Sequence, residues 1–491
     1  LKPKLAQARG AVGTLIYSDP ADDGYALFDT YPDGGGRHPN AVQRGSVADS
    51  LYAGDPTTPG YASVPGAKRL AREDVPNILK IPVLPISYAD ATKILEGMEG
   101  PVVPKNWHGA LPFAYRIGGD DKVKVRLAVK SDWSLKPAYN VIARLPGKDF
   151  PDEWIVRGNH HDAWVFGAFD PLAGSVAMLS EAKALGALLK SGWRPARTIV
   201  YASWDAEEPG LIGSTEWVEA NVDELRQKAI IYINTDGNAR GPLILRGSQE
   251  WQHLVNQVGN DVEDPETGVS VIERRRAKVL ADAFDGLNGP RETSVTELAA
   301  AKKGGELPLA ALGSGSDYTP FLHHLGLPVL NIAYRGYDEA SGSFHSAYDT
   351  YENFIRLVDP DCIYGALLSK TVGRLVMRIA DADTPPVRFG NLALTVGEYV
   401  EELKTLASDQ REEDESLNAL LKTRAFELAG DVRAPAGPPP ARPMTPVIEL
   451  TALEDAAAQL IVSAAAFDAA YAADENKLSL AQRRKLNDLL R

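Results

Sequence analysis

Trp204-Asp205-Ala206-Glu207-Glu208-Pro209-Gly210 follows directly on a run of β-formers, Arg197-Thr-Ile-Val-Tyr-Ala-Ser203. Two adjacent carboxylates therefore leave the end of a buried strand, where unpaired carboxylates almost never sit. Neighbouring residues on an extended exit point in different directions, so one can bind a cation while the other stays free to move a proton. Hydrolytic metal sites need that division of labour. Alone the pair is weak evidence, because Glu-Glu runs are usually solvated faces. Its weight depends on what the rest of the chain supplies.

Further metal-ligating types close other strand-like runs. Trp154-Ile-Val-Arg-Gly-Asn ends on His160, His161 and Asp162, and Asp170 stands eight residues beyond, just before a helical pattern over 173–190. Ala229-Ile-Ile-Tyr-Ile-Asn-Thr ends on Asp236, and Gly342-Ser-Phe-His345-Ser-Ala-Tyr-Asp349-Thr supplies another imidazole among small residues. Taken singly, each His reads as a hydrogen-bonded structural imidazole. Together, two His and three carboxylates, one of them shared, suit a pair of borderline divalent ions, zinc first. Open α/β sheets place their sites outside the carboxyl ends of the strands.

Gly158-Asn-His-His-Asp-Ala-Trp-Val-Phe-Gly-Ala-Phe-Asp-Pro171, Trp193-Arg-Pro195, Ala202-Ser-Trp-Asp-Ala-Glu-Glu208 and Gly213-Ser-Thr-Glu-Trp217 resemble the glutamate carboxypeptidase II (folate hydrolase) group of dizinc peptidases, which also contains the transferrin receptors. The resemblance runs from Ile16-Tyr-Ser-Asp-Pro-Ala-Asp22 to the helical tail. It implies that His160 and Asp236 hold one zinc, Glu208 and His345 the other, that Asp170 bridges them, and that Asp162 lies beneath the first ion. It further implies metal-assisted hydrolysis of small peptides, in which Glu207, as general base, takes a proton from a water between the ions. A structural calcium ion is implied as well. Glu216 and Glu219, three apart on one helix face, would meet backbone carbonyls of Thr58 and Tyr61 in Asp55-Pro-Thr-Thr58-Pro-Gly-Tyr61, an oxygen-only set suited to a hard cation.

Composition bounds the class without choosing within it. The chain has 491 residues, 44% hydrophobic and 24% charged, enough for several cores. A net charge of −14 argues against nucleic acid or an anionic membrane surface as partner. No apolar run is expected to span a membrane. Cys362, the single cysteine, is expected to be a small buried apolar residue. The first residue is Leu, and the resemblance places both ends inside a longer chain whose family suggests an extracytoplasmic location.

Residues 1–134, rich in Gly and Pro turns, resemble a partial protease-associated (apical) domain with short strands at 14–17 and 81–86. Over 135–382, β runs at 138–144, 154–157, 198–204, 230–234 and 329–333 alternate with helical stretches at 173–190, 216–228 and 318–325. That alternation predicts an α/β peptidase domain on a mostly parallel sheet. From 383 to 491 helices are expected at 396–429, 447–472 and 478–490, around a Pro-rich connector at 435–446. This tail resembles the family's helical dimerisation domain, which implies a homodimer.

Departures from the family pattern bear on substrate. Gly36 stands where the glutamate-specific enzymes use Asn, with Arg37 and His38 beside it as candidates to compensate. Of the arginine patch for an acidic residue, Arg246 matches, whereas Asn331 and Ala333 replace two arginines. Ser316, after Gly315, replaces an Asn, and Phe344 replaces a Tyr that assists the tetrahedral intermediate. Two alternatives stay open: an aminopeptidase or broad dipeptidase on the same metal site, and a receptor-like member without catalysis.

Overall fold

The computed structural model describes residues 2–47, 53–118, 123–285, 295–336, 341–430, 438–474 and 477–490. Eight strands are present among them: β1 (Thr14–Ile16), β2 (Val83–Pro85), β3 (Val141–Leu145), β4 (Phe150–His160), β5 (Arg197–Trp204), β6 (Ala229–Asn234), β7 (Leu243–Gly247) and β8 (Val329–Tyr334). β1 and β2 pair in parallel, and the other six form one sheet in the order β3-β5-β4-β6-β8-β7. The four inner strands are parallel, and both edges, β3 and β7, are antiparallel. This is the mostly parallel α/β architecture expected. β7 is the strand that periodicity did not reveal.

The inner strands are buried on both faces, so they read as continuous apolar runs. Ile155, Val156, Ile199, Val200, Ile231, Ile233, Val329 and Leu330 have essentially no exposed surface. On one face Trp154, Trp204, Tyr232 and Phe321 share a core with Val218 and Leu225, and the Tyr232 and Phe321 rings stack at 3.9 Å. The other face is covered by helices Leu172–Lys190 and Ile363–Asp381, which pack on each other and on β4 and β5. The chain runs from β4 to β5 on one side and then crosses to β6 on the other side of β4. The carboxyl ends of β4 and β6 therefore flank the crevice where the strand order reverses, the usual place for a site.

Several expectations need adjustment. The helix expected over 216–228 is two, Ile212–Ala220 and Val222–Lys228, broken at Asn221. The helix expected over 318–325 is present across 318–324, with its residues Pro320–His324 wound as a wider π-helix. Cys362 is exposed, not buried; it takes a left-handed backbone (φ 53) just before helix Ile363–Asp381. Two helices, Leu172–Lys190 and Thr451–Ala473, are long and apolar enough to cross a membrane by length and composition, against the expectation of none. In the first, Ala173, Ala177, Met178 and Leu185 are buried, as is Glu181, which accepts from Arg157 and Tyr201; a core helix with that ion pair passes the same test.

Residues Leu1–Ser248, Leu254–Pro386 and Leu480–Arg491 form one compact unit, and Gln249–His253 with Val387–Ser479 form a second. Segments before residue 135 belong to the sheet's unit. So does the last helix, Leu480–Leu490, which composition groups with the helical tail. Asn487 anchors it by donating to both oxygens of Glu153 at 3.0 and 3.1 Å. In the second unit, the long helix Phe389–Leu421 packs along Thr451–Asp474, and Asp468 accepts from the Phe389 and Gly390 amides that begin the first of them. Part of the expected Pro-rich connector lies outside the described residues; 438–450 carry no helix or strand.

Candidate active site

β5 ends at Trp204, and the chain turns through Ala206, a non-glycine residue at φ 56. Left-handed backbone of this kind is rare for residues with a Cβ and clusters at functional sites. The turn is closed by the Ile212 amide on Ala206 O and the Gly213 amide on Asp205 O. Gly213 has to lack a side chain, because a Cβ there would meet Asp205 O at 2.2 Å. Asp162, beyond the end of β4, secures the turn: its two oxygens accept from the amides of Glu207 (3.0 Å) and Glu208 (3.2 Å).

Asp170 lies between two imidazoles. Its Oδ1 is 3.4 Å from His160 Nε2 and its Oδ2 is 3.2 Å from His345 Nε2. On the first side Asp236 Oδ1 is 3.1 Å from His160 Nε2; on the second Glu208 Oε2 is 3.4 Å from His345 Nε2. His160, Asp170 and Asp236 thus form one group able to hold a metal ion, and Asp170, Glu208 and His345 another, with ligand atoms within 4.8 Å of one another in each. Glu207 Oε2 stands 3.9 Å from His160 Nε2.

The second nitrogen of each ring fixes its orientation. His160 Nδ1 is 3.1 Å from Asp162 O, and His345 Nδ1 is 2.9 Å from Arg44 O. Donation of Nδ1–H to a carbonyl leaves Nε2 with its lone pair toward the carboxylates, as a metal-ligating imidazole requires. Asp349 accepts from the Phe169 and Asp170 amides and so steadies the shared carboxylate.

Charge in the site is lopsided. Burial drives Glu207 well above the ordinary carboxyl range, with Asp317, Asp236 and Glu208 adding to it against His160. Burial and Asp170 push Glu208 up to about 8. Burial also acts to raise Asp170, but hydrogen bonds from His160 and His345 outweigh it and hold that group low. Carboxylates converging in such numbers on two imidazoles lack positive charge, and a pair of divalent cations would supply it. The donor set, nitrogen with carboxylate oxygen, fits zinc.

These groups line a cleft of about 430 Å³ together with Trp164, Arg246, Gly315, Ser316, Asn331, Ala333 and Phe344. Ser316 donates to Asp236 Oδ2 and accepts from Asn234 Nδ2 at 2.9 Å. Phe344 stacks on His345 at 3.7 Å. Arg37 and His38 are engaged elsewhere: Arg37 is buried against Asp23, and His38 stacks on Tyr348. Sequence reasoning missed Arg335, which also lines the cleft, and Arg44, which acts through a backbone oxygen that no residue type announces.

A second acidic cluster joins the segment 55–63 to helix Ile212–Ala220. Glu216 accepts from the Asp55 amide at 2.6 Å and the Ser63 amide at 2.5 Å. Thr58 is buried in the turn, and the Tyr61 amide donates to Thr58 O at 3.2 Å. Burial, with the charges of Glu216 and Asp55, pushes Glu219 up to about 7. Its Oε2 is buried without a hydrogen-bond partner among the described residues. Arg69, on Asp55, is one cation against three carboxylates.

Residues 140–358 match the model of Peptidase family M28, so the chain contains a domain of that family. It is 33% identical over 451 residues to the aminopeptidase NAALADL1 of Rattus norvegicus, covering 87% of this chain and 56% of that protein. It is 33% identical to the probable glutamate carboxypeptidase LAMP1 of Arabidopsis thaliana, over 82% of this chain and 54% of that one. Identity to a probable glutamate carboxypeptidase of Arthroderma benhamiae is 36%, over the same shares. The chain thus spans about half the length of the curated relatives it matches.

Proposed function

We propose that this chain is the catalytic part of a zinc-dependent exopeptidase that hydrolyses small peptides, of the glutamate carboxypeptidase kind. The observation that carries the reading is Asp170, whose two oxygens face two imidazoles from opposite sides with Glu207 beside them. His160 and Asp236 would hold one zinc ion, Glu208 and His345 the other, and Asp170 both. Bound there, the ions would acidify a water and polarise the scissile carbonyl. Glu207, whose Oε2 stands 3.9 Å from His160 Nε2, takes the proton from the attacking water and returns it to the departing amine. Arg246, Gly315, Ser316 and Phe344 line the cleft for the substrate. A calcium ion on Glu216, Glu219 and the Thr58 and Tyr61 carbonyls would neutralise the second acidic cluster.

The names of the relatives divide between aminopeptidase and glutamate carboxypeptidase, so an aminopeptidase or dipeptidase on the same site is the second reading. Preference for acidic residues is expected to be weaker than in strictly glutamate-specific enzymes, because Asn331 and Ala333 present no guanidinium for bidentate recognition of a carboxylate. Hydrolysis of N-acetyl-aspartyl-glutamate set against unblocked dipeptides, with zinc content measured alongside, tests both points. Cleavage of unblocked peptides alone selects the second reading. Strict selectivity for acidic residues on both sides of the bond defeats the expected weak preference. A protein that holds no transition metal defeats the peptidase proposal.

A further inference from the structure

The loop that carries His345 is shaped from outside. His345 has a left-handed backbone at φ 57, which is strained for a residue with a Cβ and persists only where the surroundings over-determine it. Those surroundings come from residues 23–44. The Arg44 amide donates to His345 O at 2.9 Å, while Arg44 O faces His345 Nδ1. Gly342 lies flush against the same segment: a Cβ on it would meet both Arg37 N and Gly35 O at 2.3 Å.

A buried side chain adds to these contacts. Arg37, 1% exposed, donates from Nη2 to Ser341 O at 3.1 Å and to Phe344 O at 3.4 Å, and from Nη1 to Phe344 O at 3.5 Å. Its Nε donates to Asp23 Oδ2 at 2.8 Å, and Nη2 lies 2.8 Å from the same oxygen. Asp23 Oδ1 is buried with no hydrogen-bond partner among the described residues, so this carboxylate is committed to Arg37 alone. A guanidinium so deeply buried needs that counter-charge. Its planar fork serves two carbonyls and a carboxylate together, which a point-like ammonium does less well.

We infer that Arg37, held by Asp23, is a positioning residue for the His345 half of the metal centre. It fixes the peptide carbonyl just before His345 and thereby the direction in which that imidazole points. This rests on the reading of His345 as a ligand. The effect is one-sided, because His160 is oriented separately, by Asp162 O beyond the end of β4. Arg37 does not line the cleft, so it acts through His345 and not on substrate.

The test is zinc bound per chain at graded chelator concentrations, read by elemental mass spectrometry with circular dichroism as the check on folding. Two variants are compared with wild type: Arg37→Lys, and Asp23→Asn combined with Arg37→Met, which removes both buried charges together. Loss of a partner that orients a ligand typically weakens metal binding about 10–100-fold. The expected double variant is folded, keeps one ion at wild-type affinity and releases the other at about 10–100-fold lower chelator strength, with Arg37→Lys between the two. Two wild-type affinities in the folded double variant overturn the inference, as does equal weakening of both ions. A wild type that binds no zinc brings down the peptidase proposal, and this inference with it; that result is distinguishable from failure of the inference alone.

Discussion

Replacing Glu207 by Gln separates proton transfer from metal binding. The amide keeps shape and volume but cannot accept the proton, while Glu208, Asp170 and the two imidazoles retain their positions. Glu207→Gln is expected to lower kcat about 10²–10⁴-fold with zinc content equal to wild type. Near wild-type turnover would remove Glu207 from the role of base. Asp170→Ala should behave in the opposite order. The carboxylate that faces both imidazoles disappears, so zinc itself is lost; elemental analysis showing two retained ions would refute the shared-ligand geometry. At this scale much was legible from sequence, because a carboxylate or imidazole closing an apolar run has no packing reason to be there. Arg37 was not legible. Its place beside Gly36 suggests a substrate contact, and only the fold reveals Asp23 waiting for it.

Among elements, the inner strands declared themselves because burial on both faces demands unbroken apolar runs. β7 did not, since Leu243-Ile-Leu-Arg-Gly247 is short, follows Gly241-Pro242 and carries an arginine that lines the cleft. The helical stretch at 318–325 was legible, and only its wider winding over Pro320–His324 was not, because its apolar residues serve the same core in either winding. Helix Ile212–Ala220 carries the clearest prediction at this scale. Its Glu216 and Glu219 face a turn that contributes a further carboxylate, so removing a bound cation leaves mutual repulsion at that contact. A calcium-selective chelator should lower the melting temperature and loosen the segment 55–63, seen as faster amide exchange there, before zinc is released. A transition unmoved by the chelator, with Glu216→Gln and Glu219→Gln equally silent, would dismiss the calcium ion.

For the whole molecule, the second unit's long helices leave Leu394, Leu403, Leu406, Leu453, Leu460 and Val462 exposed. The family resemblance of this tail implies a homodimer, which would cover part of that surface. Light scattering is expected to give about twice the chain mass of 53.0 kDa at micromolar concentration. A single-chain mass across that range would rule the dimer out.

The clasp of residues 35–44 on the His345 loop also sets an order of events as the chain emerges from the ribosome. His160 and Asp236 are only 76 residues apart, and the strands that bring them together are adjacent in the sheet. Arg44 must wait for a partner 301 residues away, and closing so long a loop is both late and entropically expensive. One half of the centre can therefore exist on the nascent chain well before the other. On the proposed reading, the group His160, Asp170 and Asp236 would be complete first, and the group Asp170, Glu208 and His345 only once the His345 loop packs onto residues 35–44.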